Sequence, residues 1–358
     1  MPSDTTKSLS LPLGTVRFVL AVGVMFSHIP LDRLVYLGWR QGAIGDIYVG
    51  SVAVMMFCAI SGYVMTKLVH THFLPSGTSS EQFKTVLHYY VDRAARLFPQ
   101  FLVYSSLTLA TIGLVETRTN YWDKLSLGDV VINMLMIPLG FYQWFPSVGL
   151  LIPQAWSLGL EWCFYLLIPW VLALRRWSVV YALGYASQAF FLLPFLGVIN
   201  PFIFGYQLLP GVLYVFVIGM CQADSDARRR RTFELTTLLF GISLLVGLLY
   251  VFDLSHLDGA MTQEVLIGGL LSVLFGRFLR NSKSHGVDSL LGNLSYGVFL
   301  NHILVIELLA VPFSSERRTI AFFLAVLVIS TALSFMTFTA FERPVLRWRR
   351  GLRAVARR

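Results

Sequence analysis

The sequence predicts an all-α membrane protein, a bundle of about ten transmembrane helices with both termini cytoplasmic. Three observations carry that reading. Hydrophobic residues are 56% of the chain and charged ones only 13%, against roughly half and a quarter in soluble domains. Apolar runs of spanning length follow one another with short connections. Basic residues cluster after alternate runs: Arg175 and Arg176, Arg228 to Arg231, then Arg277, Arg280 and Lys283. A basic tail from about residue 343 adds Arg343, Arg347, Arg349, Arg350, Arg353, Arg357 and Arg358, whereas Asp253 to Asp258 holds no Lys or Arg. That alternation is the positive-inside pattern, and it puts the clusters and both ends in the cytoplasm.

Taken in order, Met1 to Ser10 is polar, and the apolar run after it contains Arg17 and lacks a small-residue cleavage site. The first span, 12–31, is therefore a retained helix and not a signal peptide. Further spans are expected near 47–69, 96–115, 154–174, 177–197, 204–222, 233–252, 261–279, 291–311 and 319–341. The stretch 127–144 is apolar but short, and Pro138 and Gly140 break it. Counting it as a full span would turn the Arg175 pair outward, so it reads as an outer-side hairpin or a partly inserted helix, whose free backbone groups need protein cover. With no repeat, low-complexity tract or long linker, 1–358 reads as a single domain with no fused soluble domain. The formal charge of +9 reflects topology and not nucleic acid. Cys58, Cys163 and Cys221 sit singly in apolar runs, as core packing residues do.

An ionisable side chain within a span is costly unless it faces protein or water, so such residues mark where function is sought. Arg17 and His28 are eleven helical steps apart, within about 20° of one face and about 16 Å along the axis. Arg17 either snorkels to the headgroups or lines a track with His28. A neutral imidazole at that depth either packs between helices or acts as a general base. Arg93 and Arg96, three apart at the cytoplasmic boundary, either signal topology or present two guanidinium forks to phosphate. Ser157 and Glu161 share a face near the outer boundary, where the carboxylate either orients an acceptor hydroxyl or pairs with an arginine. Ser295 and His302 share a face of the ninth span, with His302 near mid-membrane in a structural or substrate-positioning role. No metal is expected: His70-Thr71-His72 reads as a solvated loop without further ligands.

These residues form an ordered set: Arg17-x10-His28, Phe57-Cys58-Ala59-Ile60-Ser61-Gly62-Tyr63, Arg93-x-x-Arg96, Trp156-Ser157-Leu158 with Glu161, Ser295-Tyr296 with His302, and Phe341-Glu342-Arg343-Pro344. The set resembles the acyltransferase-3 family of membrane acyltransferases, which includes bacterial O-antigen and exopolysaccharide O-acetyltransferases. Met56-Phe57 and Tyr63 stand where the family usually has phenylalanines. The resemblance implies an O-acyltransferase of the bacterial cytoplasmic (inner) membrane, using acetyl-CoA as co-substrate and a saccharide acceptor, with the bilayer and polysaccharide-assembly proteins as partners. It implies His28 as general base with Glu161 and Ser157 in the catalytic set, and Arg17, Arg93 and Arg96 on the phosphates of coenzyme A. Ser61, Tyr63, Tyr296, Asn301 and His302 would position substrate, with Tyr63, Ser157 or Asn301 as oxyanion donors. Direct transfer and an acyl-enzyme through Ser61, Ser157 or His28 both stay open. A second class of function is a proton-coupled transporter or flippase of a lipid-linked sugar, against which the sequence shows no matching broken helices in two halves. A small hydroxylated natural product is the alternative acceptor. Trp39, Trp122, Trp144, Trp156 and Trp162 either stack on sugar rings or form an interfacial belt.

Overall fold

The computed structural model describes residues 12–29, 43–44, 47–114, 122, 125–144, 149–250, 257, 260–280, 286–313 and 319–355. Among them are twelve α-helices. They are α1 Leu13–Ser27, α2 Val49–Leu68, α3 Ser79–Leu114, α4 Leu127–Met134, α5 Trp156–Ala173, α6 Trp177–Phe195, α7 Leu209–Cys221, α8 Ala227–Tyr250, α9 Thr262–Leu279, α10 Gly286–Ala310, α11 Ile320–Thr337 and α12 Arg343–Val355. A two-residue antiparallel ladder, Ala43–Ile44 with Ile47–Tyr48, precedes α2. Each of the ten expected spans falls on a helix, and eight helical stretches among the described residues are long and apolar enough to cross a membrane.

Helices α2, α7 and α10 form the interior. Every residue of α7 from Gly211 to Cys221 is buried. α2 packs on α7, α9 and α1, while α10 lies between α1 and α11. The α2–α7 contact is backbone on backbone: a Cβ on Gly62 would lie 2.0 Å from the Phe216 carbonyl oxygen, and one on Gly219 would lie 1.8 Å from that of Ala59. Small residues permit such an approach, which brings dispersion and polar contacts into play where lipid supplies no hydrophobic drive. The outer helices show the opposite pattern. On α8, Leu235, Leu239, Ile242 and Val246 form an exposed apolar stripe at helical spacing, a face suited to lipid and costly in water.

Three elements differ from the sequence expectation. α3 begins far ahead of the expected span at 96, because hydropathy detects only its apolar half. Its start is capped: Glu81 Oε2 accepts from the Thr78 backbone N–H at 2.6 Å, and the Thr78 hydroxyl oxygen accepts from Glu81 N–H at 3.4 Å, a reciprocal capping box. The span expected at 204–222 is interrupted. A π-helical turn, Phe202–Gln207, stops at extended Leu208 before α7 starts. From Arg343 to Val355 the basic tail is the helix α12, packed on α3, and Arg357 and Arg358 lie outside the described residues. Within 127–144, α4 is followed by a 3-10 segment, Ile137–Trp144, with Met136 at φ 59° between them. Trp39, Asp253 and Lys283 lie outside the described residues.

Candidate functional site

A cavity of about 420 Å³ opens toward the Lys67 end of α2. Its wall carries five cationic side chains, Arg17, Lys67, Arg93, Arg96 and Arg349, and a single carboxylate, Glu161. Three of these cations are held by two buried acids behind the wall. Asp92 takes Arg93 on one carboxylate oxygen and the Arg349 Nε–H, at 3.0 Å, on the other. Arg96 pairs with Glu342 and lies 5.6 Å from the centre of the Tyr296 ring, while the Tyr296 hydroxyl donates to the Leu97 carbonyl at 2.8 Å. Arg17 has no hydrogen-bonded or ion-paired partner among the described residues, and Glu161 is its favourable electrostatic neighbour. Even counting Asp92 and Glu342, positive charge exceeds negative, so the cavity suits an anionic ligand whose oxygens can take the guanidinium forks.

Deeper in this cavity, the hydroxyls of Ser61 and Tyr165 both donate to Glu161, Tyr165 at 2.5 Å. The Ser61 and Tyr165 hydroxyl oxygens are 3.4 Å apart. Ser157 lines the same wall and donates to the Gln154 carbonyl at 3.0 Å. The position of α5 here depends on a close approach. A Cβ on Gly159 would lie 2.1 Å from the backbone nitrogen of Gly140, in the 3-10 segment.

A second cavity, of about 480 Å³, opens toward the other end of α2, at Tyr48, Gly50 and Ser51. It is lined by His28, Ser27, Gln154, Gln207 and the aromatic rings of Trp156, Tyr206, Tyr142 and Tyr48, and among the described residues by no Asp, Glu, Lys or Arg. The Gln154 amide nitrogen donates to the carbonyls of Phe299 and Leu300, and its buried oxygen has no hydrogen-bond partner. The linings of the two cavities share Val54.

His28 caps the end of α1. Its Nδ1 is 2.8 Å from the Val24 carbonyl oxygen, and a carbonyl cannot donate, so Nδ1 carries the proton. The same reasoning places a proton on His302 Nδ1, 3.1 Å from the Val298 carbonyl oxygen. In the neutral ring His302 Nε2 is then an acceptor, 3.4 Å from His28 Nδ1. The unprotonated nitrogen of His28 is Nε2, which has no hydrogen-bond partner among the described residues.

Residues 13–339 match the family model described as an acyltransferase domain. The chain belongs to the acyltransferase-3 family. It is also 30% identical over 203 residues to an uncharacterized protein of Aquifex aeolicus, covering 56% of this chain and 90% of that protein. No solved structure matches the chain. With its apolar helices, the family assigns a multi-pass membrane protein that transfers acyl groups.

In this acyltransferase the helices bring Arg17, Arg93, Arg96, Ser61, Ser157, Glu161 and Tyr296 to one cavity. His28 lines the other, so Arg17 and His28 stand in different cavities whose linings have Val54 in common. Glu161 stands among the arginines and accepts from the hydroxyls of Ser61 and Tyr165. Tyr63 and Asn301 lie outside both linings. Two residues on from Ser61, Tyr63 is turned by about 200° and packs with Ile60 and Leu279. Asn301 bonds Tyr104 and the Ser330 carbonyl between helices. The His70-Thr71-His72 segment is a π-helical extension of α2 and not a solvated loop: His70 stacks on Trp177, and Thr71 and His72 line the cationic cavity. Of the tryptophans, Trp156 faces the second cavity, Trp162 is buried on Met136, and Trp144 is exposed against Phe141. Tyr165, Lys67 and Arg349 were not singled out as site residues from sequence. Tyr165 stands one turn after Glu161, a spacing that could have found it.

Proposed function

We propose that this chain transfers an acetyl group from acetyl-CoA, entering at the cytoplasmic face of the inner membrane, to a hydroxyl of a neutral saccharide reached from the opposite face. The observation that carries this reading is the pair of cavities: one ringed by cations, the other holding His28 and, among the described residues, lined by no charged side chain, with Val54 common to both linings. Arg93, Arg96 and Arg17 would take the phosphates, with the pantetheine arm reaching inward to put its thioester at the junction. The aromatic rings of the second cavity would stack on the sugar, and the Gln154 oxygen would accept from a hydroxyl.

In the reaction, His28 Nε2 takes the proton of the acceptor hydroxyl as that oxygen attacks the thioester carbonyl, and returns it to the departing thiolate. The Val24 carbonyl, 2.8 Å from Nδ1 of His28, holds the ring in the tautomer that leaves Nε2 basic, and His302 Nε2 adds a second, longer contact to the same Nδ1 at 3.4 Å. Ser157 remains as an oxyanion donor. Ser61 favours a second reading, because a hydroxyl donating to a carboxylate is the pairing of an activated nucleophile; an acyl-Ser61 adduct, trapped by rapid quench and found by mass, would establish it.

The test uses membranes containing the full chain and acetyl-CoA labelled in the acetyl group, with label followed into envelope glycan. His28→Ala lowers incorporation by about 10²- to 10⁴-fold. Full incorporation by the variant rules out the base, and movement of sugar without donor consumption favours a carrier.

A further inference from the structure

The sequence reading leaves Arg349 as one of many positive charges in a tail, yet it is 7% exposed, lines the cationic cavity and lies beyond residue 339, where the family match ends. We propose that Arg349 is a binding residue for the diphosphate of the acyl-CoA donor, acting as a pair with Arg93. The proposal rests on the acyl-CoA reading given above.

Charge is the first argument. Asp92 holds both guanidiniums, Arg93 on Oδ2 and Arg349 on Oδ1. One carboxylate compensates one cation, so the buried trio keeps a net positive charge facing the cavity. A doubly acidic diphosphate supplies what Asp92 cannot, and a planar fork suits its oxygens. Depth is the second argument. Arg93 Nη1 donates to the Met65 sulfur at 3.3 Å, and Met65 lies eleven residues past Val54, about 16 Å along α2. A thioester placed at Val54 trails a pantetheine arm of roughly 15 to 20 Å, from extended-chain dimensions. The diphosphate therefore arrives at the level of Arg93 and its partner on Asp92. Helix α12, packed on α3, is what carries Arg349 to that level.

The experiment measures dissociation constants by calorimetry on the full chain in lipid nanodiscs, with acetyl-CoA, acetyl-dephospho-CoA and acetyl-pantetheine. Arg349→Gln weakens the first two by about tenfold or more, the range of a lost charge-assisted hydrogen bond, and leaves acetyl-pantetheine within about twofold. Arg349→Lys, which keeps the cation on Asp92, retains most of the affinity and shows that the helix still docks. A loss shared by all three donors marks a structural role and overturns the proposal, as does no loss. A loss confined to acetyl-CoA moves Arg349 to the 3′-phosphate and overturns the diphosphate assignment. Wild-type protein that binds none of the phosphorylated donors refutes the donor reading itself, whereas wild-type binding with an indifferent Arg349→Gln refutes this proposal alone.

Discussion

Replacing Gly159 with alanine tests whether the placement of α5 controls the chemistry. The new Cβ would stand 2.1 Å from the Gly140 backbone nitrogen and 2.7 Å from its Cα. Both are backbone atoms, so no rotamer change relieves the contact. Reaching an ordinary van der Waals separation of about 3.4 Å takes a displacement of about 1.3 Å between α5 and the 3-10 segment. Ser157 and Glu161 flank Gly159 by two residues on either side and move with it. Misplacing catalytic groups by about 1 Å costs on the order of 10²-fold in rate, while overpacking costs about 1–3 kcal/mol of stability. Acetyl incorporation per folded molecule should therefore fall about a hundredfold in Gly159→Ala, with the folded fraction read from thermal unfolding. The control is Gly128→Ala on α4, where the new Cβ meets only the Ser126 hydroxyl at 3.6 Å, an ordinary contact. If folded Gly159→Ala kept more than half of wild-type incorporation, the geometry of Ser157 and Glu161 would have no bearing on turnover.

Two further expectations concern the junction and the histidine pair. Val54→Ala removes two methyl groups where the cavities meet, and since one methylene in an apolar site is worth about tenfold or more in discrimination, propionyl transfer relative to acetyl should rise by about tenfold; an unchanged ratio from mixed-donor incorporation excludes Val54 from acyl selection. His302→Leu deletes the longer contact to His28 Nδ1, 3.4 Å against 2.8 Å to the Val24 carbonyl that remains, so it removes less than a full neutral hydrogen bond of about 1 kcal/mol and incorporation should fall no more than about fivefold, far less than in His28→Ala. Equal losses in the two variants would make His302 part of the proton transfer itself.

The lipid-embedded class and the positions of the spans were readable from hydropathy, because burial in a bilayer is recorded residue by residue. The convergence of Arg17, Ser61, Arg93, Arg96, Glu161 and Tyr296 was suggested by their order in the chain, and the packing of α2, α3, α5 and α10 places them in one lining. What escaped was phase and partnership. Tyr63 stands close in sequence to Ser61, and Asn301 and His302 to Tyr296, yet none of the three is in either lining: a helix rotates about 100° per residue, and neighbours in a motif need not share a cavity. Arg349 looked like any other cation of the tail because nothing local announces its pairing with Asp92, 257 residues away. The halt at Leu208 did carry a signal, Gln207 before it and Pro210-Gly211 after it, because proline suits the first turn of a helix and not its interior, but a hydropathy average over a whole span hides it.

Val54 has a consequence beyond chemistry. Two recesses advancing from opposite ends of a helical bundle would short-circuit a membrane if they joined, and here the side chain common to both linings is aliphatic and 7% exposed. An ion stripped of its hydration shell at such a waist finds no ligand to replace it. On the function proposed above, the side chain that would admit a small uncharged acyl group would also oppose the passage of ions from one recess to the other.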